Sequence, residues 1–189
     1  MTENRLASTF DRLKAERRSG LITYLMASDP YFELSQKLIN SLPLAGADIL
    51  EIGIPFSDPM ADGPTIQRAA NRALKADASL AKTLELCYNF RKNNNATPII
   101  LMGYFIPILK YGLKEFANDA KLAGVDGVII VDLPIEEDAE ILPHLASKEI
   151  ASIKLIAPTT PEDRLEKIVA HASGFIYYIS MAGVTGTKN

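Results

Sequence analysis

Two carboxylates, Glu51 and Asp62, stand eleven positions apart in the run Leu50-Glu51-Ile52-Gly53-Ile54-Pro55-Phe56-Ser57-Asp58-Pro59-Met60-Ala61-Asp62-Gly63-Pro64-Thr65. Glu51 interrupts an apolar stretch, Ile49 to Ile54, that reads as a strand, where an ionised carboxylate is costly unless compensated. Desolvation there raises a carboxyl pKa toward neutrality, which suits a general acid or base. The plain alternative is a strand-end carboxylate bonded to backbone. Asp62 precedes Gly63-Pro64, so it reads either as a turn aspartate at a helix entry or as a charge carried back over the strand end. Pro55, Pro59 and Pro64 would make such a loop rigid. Asp58 has the same two faces, a turn former or a docking residue for another protein.

Other side chains are open to chemistry with less to distinguish them. Tyr177 and Tyr178 lie on opposite faces of one apolar run, so one faces inward and one outward, as packing or as site lining. Lys154, in Ser152-Ile153-Lys154-Leu155-Ile156, is either a lysine snorkelling from an outer layer or a Schiff-base nucleophile for a carbonyl substrate. Ala182-Gly183-Val184-Thr185-Gly186 is a glycine-flanked loop, either a lid, a phosphate-contacting turn or a plain connection. With one cysteine, Cys87, and two distant histidines, His144 and His171, no metal site is expected, and Cys87 reads as a small apolar helix residue.

The elements that must position these residues follow a single rhythm. Apolar runs at 21–27, 48–54, 98–102, 127–131, 151–157 and 174–179 alternate with helical spacing at 32–44, 66–76, 79–91, 113–123, 136–147 and 161–172. Continuous apolar strands alternating with helices imply a parallel sheet covered on both faces. The first strand ends in Ala27-Ser28-Asp29-Pro30 without the glycine cluster of a dinucleotide-binding sheet. Polar residues instead close several strands: Glu51, Tyr104, Asp132 and Ser180. That distribution favours an α/β fold of the (β/α)₈ TIM-barrel type, with its site at the C-terminal face of the strands. About six of the eight βα units of such a barrel are visible, so residues 1–189 read as one barrel domain, incomplete at its C-terminal side.

Composition sets the class. The net charge of −3 argues against a nucleic-acid binder, and no apolar run approaches the ~18 residues of a membrane span. The N-terminal residues 1–18 are charged and helix-like rather than a signal peptide. A lone cysteine fits a reducing compartment, so a soluble cytoplasmic protein is expected.

The run from Leu50 to Gln67 closely resembles the signature of the tryptophan synthase alpha subunit family. It is joined by Met102-Gly103-Tyr104, by Gly127-Val128-Ile129-Ile130-Val131-Asp132-Leu133-Pro134, by Ile156-Ala157-Pro158-Thr159-Thr160, and by Ser180-Met181-Ala182-Gly183-Val184-Thr185-Gly186. The resemblance implies a (β/α)₈ barrel lyase of tryptophan biosynthesis. Its reaction is the retro-aldol cleavage of indole-3-glycerol phosphate to indole and glyceraldehyde 3-phosphate, without metal or cofactor. It implies Glu51 as the acid/base and Asp62 as the partner of the indole N–H. Tyr177, Thr185 and Gly186 would line the substrate, Thr185 as a lid threonine that helps to hold Asp62. It also implies a beta-subunit partner in an alpha2beta2 tetramer, with pyridoxal phosphate (PLP) on that partner alone. Pro55, Asp58 and Tyr104 would lie at the subunit contact, in loops 55–62 and 104–109. Ile106 stands where members usually carry Asn, and Lys154 is unusual for its strand. The family extends beyond residue 189, into the strands expected to grip the substrate phosphate. Two further readings follow from the same residues: a Schiff-base aldolase through Lys154, and a non-catalytic fragment lacking the phosphate site.

Overall fold

The computed structural model describes residues 4–180; Thr185 and Gly186 lie outside the described residues. Helix α1 (Arg5–Ala15) starts at Asn4, whose side chain accepts the Ala7 N–H. The chain continues through β1 (Ile22–Met26), α2 (Phe32–Ser41), β2 (Ile49–Gly53), α3 (Pro64–Lys75), α4 (Leu80–Arg91), β3 (Ile99–Gly103), α5 (Phe105–Tyr111), α6 (Leu113–Leu122) and β4 (Gly127–Ile130). A 3-10 turn (Asp138–Glu140), α7 (Leu142–Ser147), β5 (Ala151–Ser152), β6 (Lys154–Ile156), α8 (Glu162–His171) and β7 (Ile176–Tyr178) follow. All pairings are parallel, β1 through β5 in sequence and β6 with β7. The run expected at 151–157 is parted at Ile153, yet the Ile153 N–H still donates to the Val128 carbonyl at 3.0 Å. The sheet is therefore continuous across the break, and its six apolar runs are those read from the sequence.

Each strand feeds two cores, because successive side chains point to opposite faces. Leu50, Ile52, Leu101 and Val128 pack outward against helix residues such as Ile39, Leu84, Phe90 and Phe116. Ile49, Ile100, Ile129 and Ile153 point the other way and form a second core with Leu6 of α1. A parallel sheet that is apolar on both faces, with helices on one side and a side-chain core on the other, is the wall of a (β/α) barrel. Helix α1 closes the N-terminal end of that interior through Leu6.

Charge clusters lock the same end. Asp126, just before β4, accepts Arg5 Nη1 at 2.8 Å, Arg91 Nη2 at 2.7 Å and the Ile99 N–H at 2.8 Å. Asp48, just before β2, accepts Arg12 Nη2 at 2.9 Å, Arg18 Nη2 at 2.7 Å and the Leu21 N–H at 2.9 Å. Arg18, and then the Leu21 amide and Arg12, hold the Asp48 carboxyl well below the usual carboxylate range against the opposing effect of burial. A pKa depressed in the folded state adds stability that is present above the unfolded value near 4 and is lost as pH falls through the folded one. Asp48→Asn should therefore cost about 2 kcal/mol at neutral pH. It should also flatten the loss of melting temperature below about pH 4. An unchanged acid limb in thermal melts would refute this role.

One expectation fails here. Residues 104–109 do not form a loop; Phe105 to Tyr111 is helix α5. Pro107 lies in its first turn, where no backbone donor is needed, and Asp132 Oδ1 accepts the otherwise orphaned Phe105 N–H at 2.8 Å. Gly112, at φ +102, then allows α6 to start directly afterwards.

Candidate active site

Strand β2 carries Glu51 on the inner face, two positions above the core residue Ile49 and paired in register with Tyr24 of β1 and Ile100 of β3. Glu51 is 3% exposed. Burial alone raises its pKa from 4.5 to about 7. No compensating cation or donor reaches it among the described residues, so its charged form is disfavoured by burial with nothing to offset it. The same inner face presents Met102, Val131, Leu155 and Tyr177, all half-buried, as an apolar wall around the carboxyl. The Tyr177 phenol is pushed above its ordinary pKa, first by burial and then by the charge of Glu51. The structure thus brings Tyr177 and Glu51 to the same inner face of the sheet, while Tyr178 faces outward and is exposed.

Asp62 is held over this face by a folded loop. Its N–H donates to the Pro59 carbonyl at 3.0 Å, and its own carbonyl accepts Gln67 Nε2 at 2.9 Å from the first turn of α3. The Tyr104 hydroxyl accepts the Ala61 N–H at 3.0 Å and donates to the Asp62 carboxylate. Burial raises the Asp62 pKa, and the Tyr104 hydrogen bond partly opposes that. The Tyr104 phenol in turn is pushed up to about 12 by burial and by Asp62. The two carboxylates thus stand in different surroundings, one dry and unpartnered, the other aimed by a phenol.

Two expected contact residues are not exposed. Tyr104 is buried, its ring against Phe56 at 5.4 Å and its hydroxyl accepting the Ala61 N–H under the Asp62 loop. Pro55 is buried too, at the exit of β2. Asp58 is exposed and accepts the Ser57 hydroxyl at 2.5 Å. Lys154 lies on the opposite side of its strand from the inner residues Ile153 and Leu155, and its Nζ donates to Asp138 Oδ2 at 2.7 Å in a buried pair. That overturns the Schiff-base reading, since the amine points away from Glu51 and is committed to a carboxylate. It also corrects the snorkelling alternative, because Lys154 is buried. Among the described residues no cluster of His, Cys, Asp and Glu is placed to hold a metal ion.

The sequence reading missed Tyr24. Its hydroxyl lies over Gly53, where a Cβ would collide with it, so only glycine leaves it room. The signal was there: Tyr24 takes the inward parity of Ile22 in β1, level with Glu51.

Fold and site together define a class: an α/β-barrel protein whose strand ends present two unlike carboxylates beside an apolar inner face, an arrangement suited to proton transfer. The family model described as tryptophan synthase alpha chain matches residues 10–189. The tryptophan synthase alpha chain of Acidiphilium cryptum (strain JF-5) is 54% identical over 185 residues, covering 98% of this chain and 67% of its own length. That of Caulobacter sp. (strain K31) is 52% identical over 189 residues, covering 100% of this chain and 69% of the relative. The crystal structure of tryptophan synthase subunit alpha from Legionella pneumophila str. Paris superposes with a TM-score of 0.91 at 47% identity, covering 94% of this chain and 68% of that one. The chain belongs to the tryptophan synthase alpha chain family and spans about two thirds of the length of these relatives.

Proposed function

We propose that this chain is the alpha subunit of tryptophan synthase, a lyase that cleaves indole-3-glycerol phosphate to indole and glyceraldehyde 3-phosphate, with Glu51 moving the protons and Asp62 steadying the ring. The observation that carries the reading is the buried, unpartnered Glu51 with its pKa raised to about 7. At neutral pH both of its forms are accessible, which a group that gives one proton and takes another requires. The protonated carboxyl delivers its proton to the ring carbon that bears the side chain. The resulting carboxylate takes the proton of the adjacent side-chain hydroxyl. The carbon–carbon bond then breaks, its electrons return to the ring, and the hydroxyl-bearing carbon becomes the aldehyde. Positive charge builds on the ring nitrogen during the first step, and Asp62, aimed by Tyr104, accepts the N–H there. Met102, Val131, Leu155 and Tyr177 supply the dry wall that a flat aromatic ring needs.

The partner is the beta subunit, which carries PLP; the alpha chain brings none. Asp58, the exposed Met60 on the same loop, and the exposed Ile106 and Leu109 of α5 form the rim we assign to that contact. The hydrogen bond from the Ala61 N–H to Tyr104 ties this loop to the start of α5, so docking there bears on Asp62. We place the protein in the cytoplasm; no helix among the described residues is long and apolar enough to cross a membrane. Residues 1–189 are proposed as one barrel domain that carries the acid/base part of the site. By resemblance Thr185 and Gly186 add to its substrate contacts, and the phosphate grip belongs to the remaining third of the relatives.

The test is indole release from indole-3-glycerol phosphate, assayed on the full-length protein and the 189-residue chain side by side. Asp62→Asn in the full-length protein should lower kcat by about a hundredfold or more, since it removes a charge acting where charge develops. Activity within threefold of the parent would remove Asp62 from the mechanism.

A further inference from the structure

Asp29 and Arg72 form an ion pair at the C-terminal end of β1 that the mechanism above leaves unused. Arg72 grips Asp29 with a fork, Nε donating to Oδ1 at 2.8 Å and Nη2 to Oδ2 at 2.7 Å. Such a two-bond match fixes orientation as well as distance. The Asp29 end is anchored to the sheet. Just before it, the Ala27 N–H donates to the Gly53 carbonyl of β2 at 2.9 Å, and the N–H of buried Ser28 to Ser35 Oγ of α2 at 3.0 Å. The Arg72 end belongs to α3, which begins two residues after Asp62. Ala69, Ala70 and Ala73 lay that helix on Met26, the last residue of β1, in a small core of their own. Three methyl groups make a smooth contact, without a ridge to hold the helix in one orientation. The head of the same helix holds the loop: Gln67 Nε2 donates to the Asp62 carbonyl at 2.9 Å, and the Gln67 N–H to the Gly63 carbonyl at 3.0 Å.

We propose that Arg72 and Asp29 are positioning residues for Asp62: their fork locks α3 against the end of β1, and α3 carries the Asp62 backbone through Gln67. From Pro64 to Arg72 the helix rises about 12 Å, so a tilt of about 5° with the fork open moves the Asp62 end by about 1 Å. A misplacement of that size costs up to about a hundredfold in rate. Strand β1 pairs along its length with β2, so the fork refers Asp62 to the same sheet that carries Glu51 and fixes one carboxylate against the other. Arg72 is exposed, and an exposed pair adds little to global stability. What the fork sets is local: the orientation of one helix and of the carboxylate at its head.

This role rests on the proposed part of Asp62 in the reaction, so it is tested by two readouts, one of which needs no turnover. In the full-length protein, Arg72→Gln and Asp29→Asn should each lower kcat about tenfold. Their melting temperatures should stay within about 2 °C of the parent. Combined with Asp62→Asn, Arg72→Gln should cost less than about twofold further, since a residue acting through Asp62 then has nothing left to place. The second readout is amide hydrogen exchange by NMR. The Asp62 and Gln67 amides should exchange about tenfold faster in both variants, with those of Ile52 and Leu101 in the sheet unchanged. Arg72→Lys keeps the charge without the fork, so it should reproduce part of both effects, and it covers the case in which Arg72→Gln does not fold. Asp62 and Gln67 amides that exchange at the parent rate in every variant would overturn the clamp. With Asp62→Asn itself impaired, an unchanged kcat in Arg72→Gln, or the same loss with and without Asp62→Asn, would overturn it too. If exchange quickens while Asp62→Asn remains active, the clamp stands and the catalytic reading of Asp62 falls.

Discussion

Glu51→Gln should abolish indole release, by a factor of about a thousand or more in kcat, and at the same time make the protein more stable at pH 8. The loss follows from the role: an amide can neither deliver a proton to the ring nor take one from the hydroxyl, and general acid–base steps alone are worth about 10²–10⁴-fold. The gain follows from burial. A carboxyl whose folded pKa rises from 4.5 to about 7 binds its proton more tightly in the folded state than in the unfolded chain. Between those values the folded protein holds one proton more, so stability falls as pH climbs through that window and stays low above it. At about 1.4 kcal/mol per pH unit, the cost above neutrality is about 3 kcal/mol. Glutamine has the same shape and no charge, so the variant should lose that pH dependence and melt several degrees higher at pH 8, with the two proteins converging near pH 5. Parallel melting curves from pH 5 to pH 8 would show that Glu51 is not desolvated as described. Substantial turnover in the variant would remove it as the acid/base.

This opposition explains why the buried charge at Glu51 could be read from sequence as a candidate site. A charge in the middle of an apolar strand contradicts its surroundings, and such contradictions mark sites where stability has been given up for chemistry. The alternation of strands and helices was legible for the complementary reason: local pattern and global fold agree in all six runs. Tyr24 stayed hidden because a tyrosine on a half-buried strand is ordinary. Only the register between β1 and β2 places it beside Glu51. Helix α5 stayed hidden because Pro107 and the preceding tyrosine look like a loop, and the cap that starts it, Asp132, is 27 residues away in sequence. The resemblance places Tyr104 at the subunit contact, and what no local window shows is that its hydroxyl is bonded to Ala61 and its side chain buried. Contacts between residues distant in sequence decided each of these, and no local window contains them.

Lys154 shows the same limit from the other side, and it carries the second large expected effect. Asp138→Ala should destabilise the protein by about 3–5 kcal/mol, because it leaves the buried ammonium of Lys154 without its carboxylate. For a chain of this size that is a fall in melting temperature of about 10 °C. Asp138 is 1% exposed and accepts Lys154 Nζ at 2.7 Å, while His171 Nδ1 stands 3.4 Å from its other oxygen. The energy at stake is the penalty of an unpaired charge and not the worth of the pair. The double variant Lys154→Met/Asp138→Leu should therefore recover most of the loss, because two apolar side chains then fill the space between β6 and the 3-10 turn. Both single variants and the double variant should keep kcat within about twofold per folded molecule, since the pair lies on the outer face of the strand, away from Glu51. Loss of turnover in Lys154→Met with folding intact would restore the amine to the chemistry. A double variant no more stable than Asp138→Ala would mean that the pair itself, through its geometry, fixes β6 against the turn.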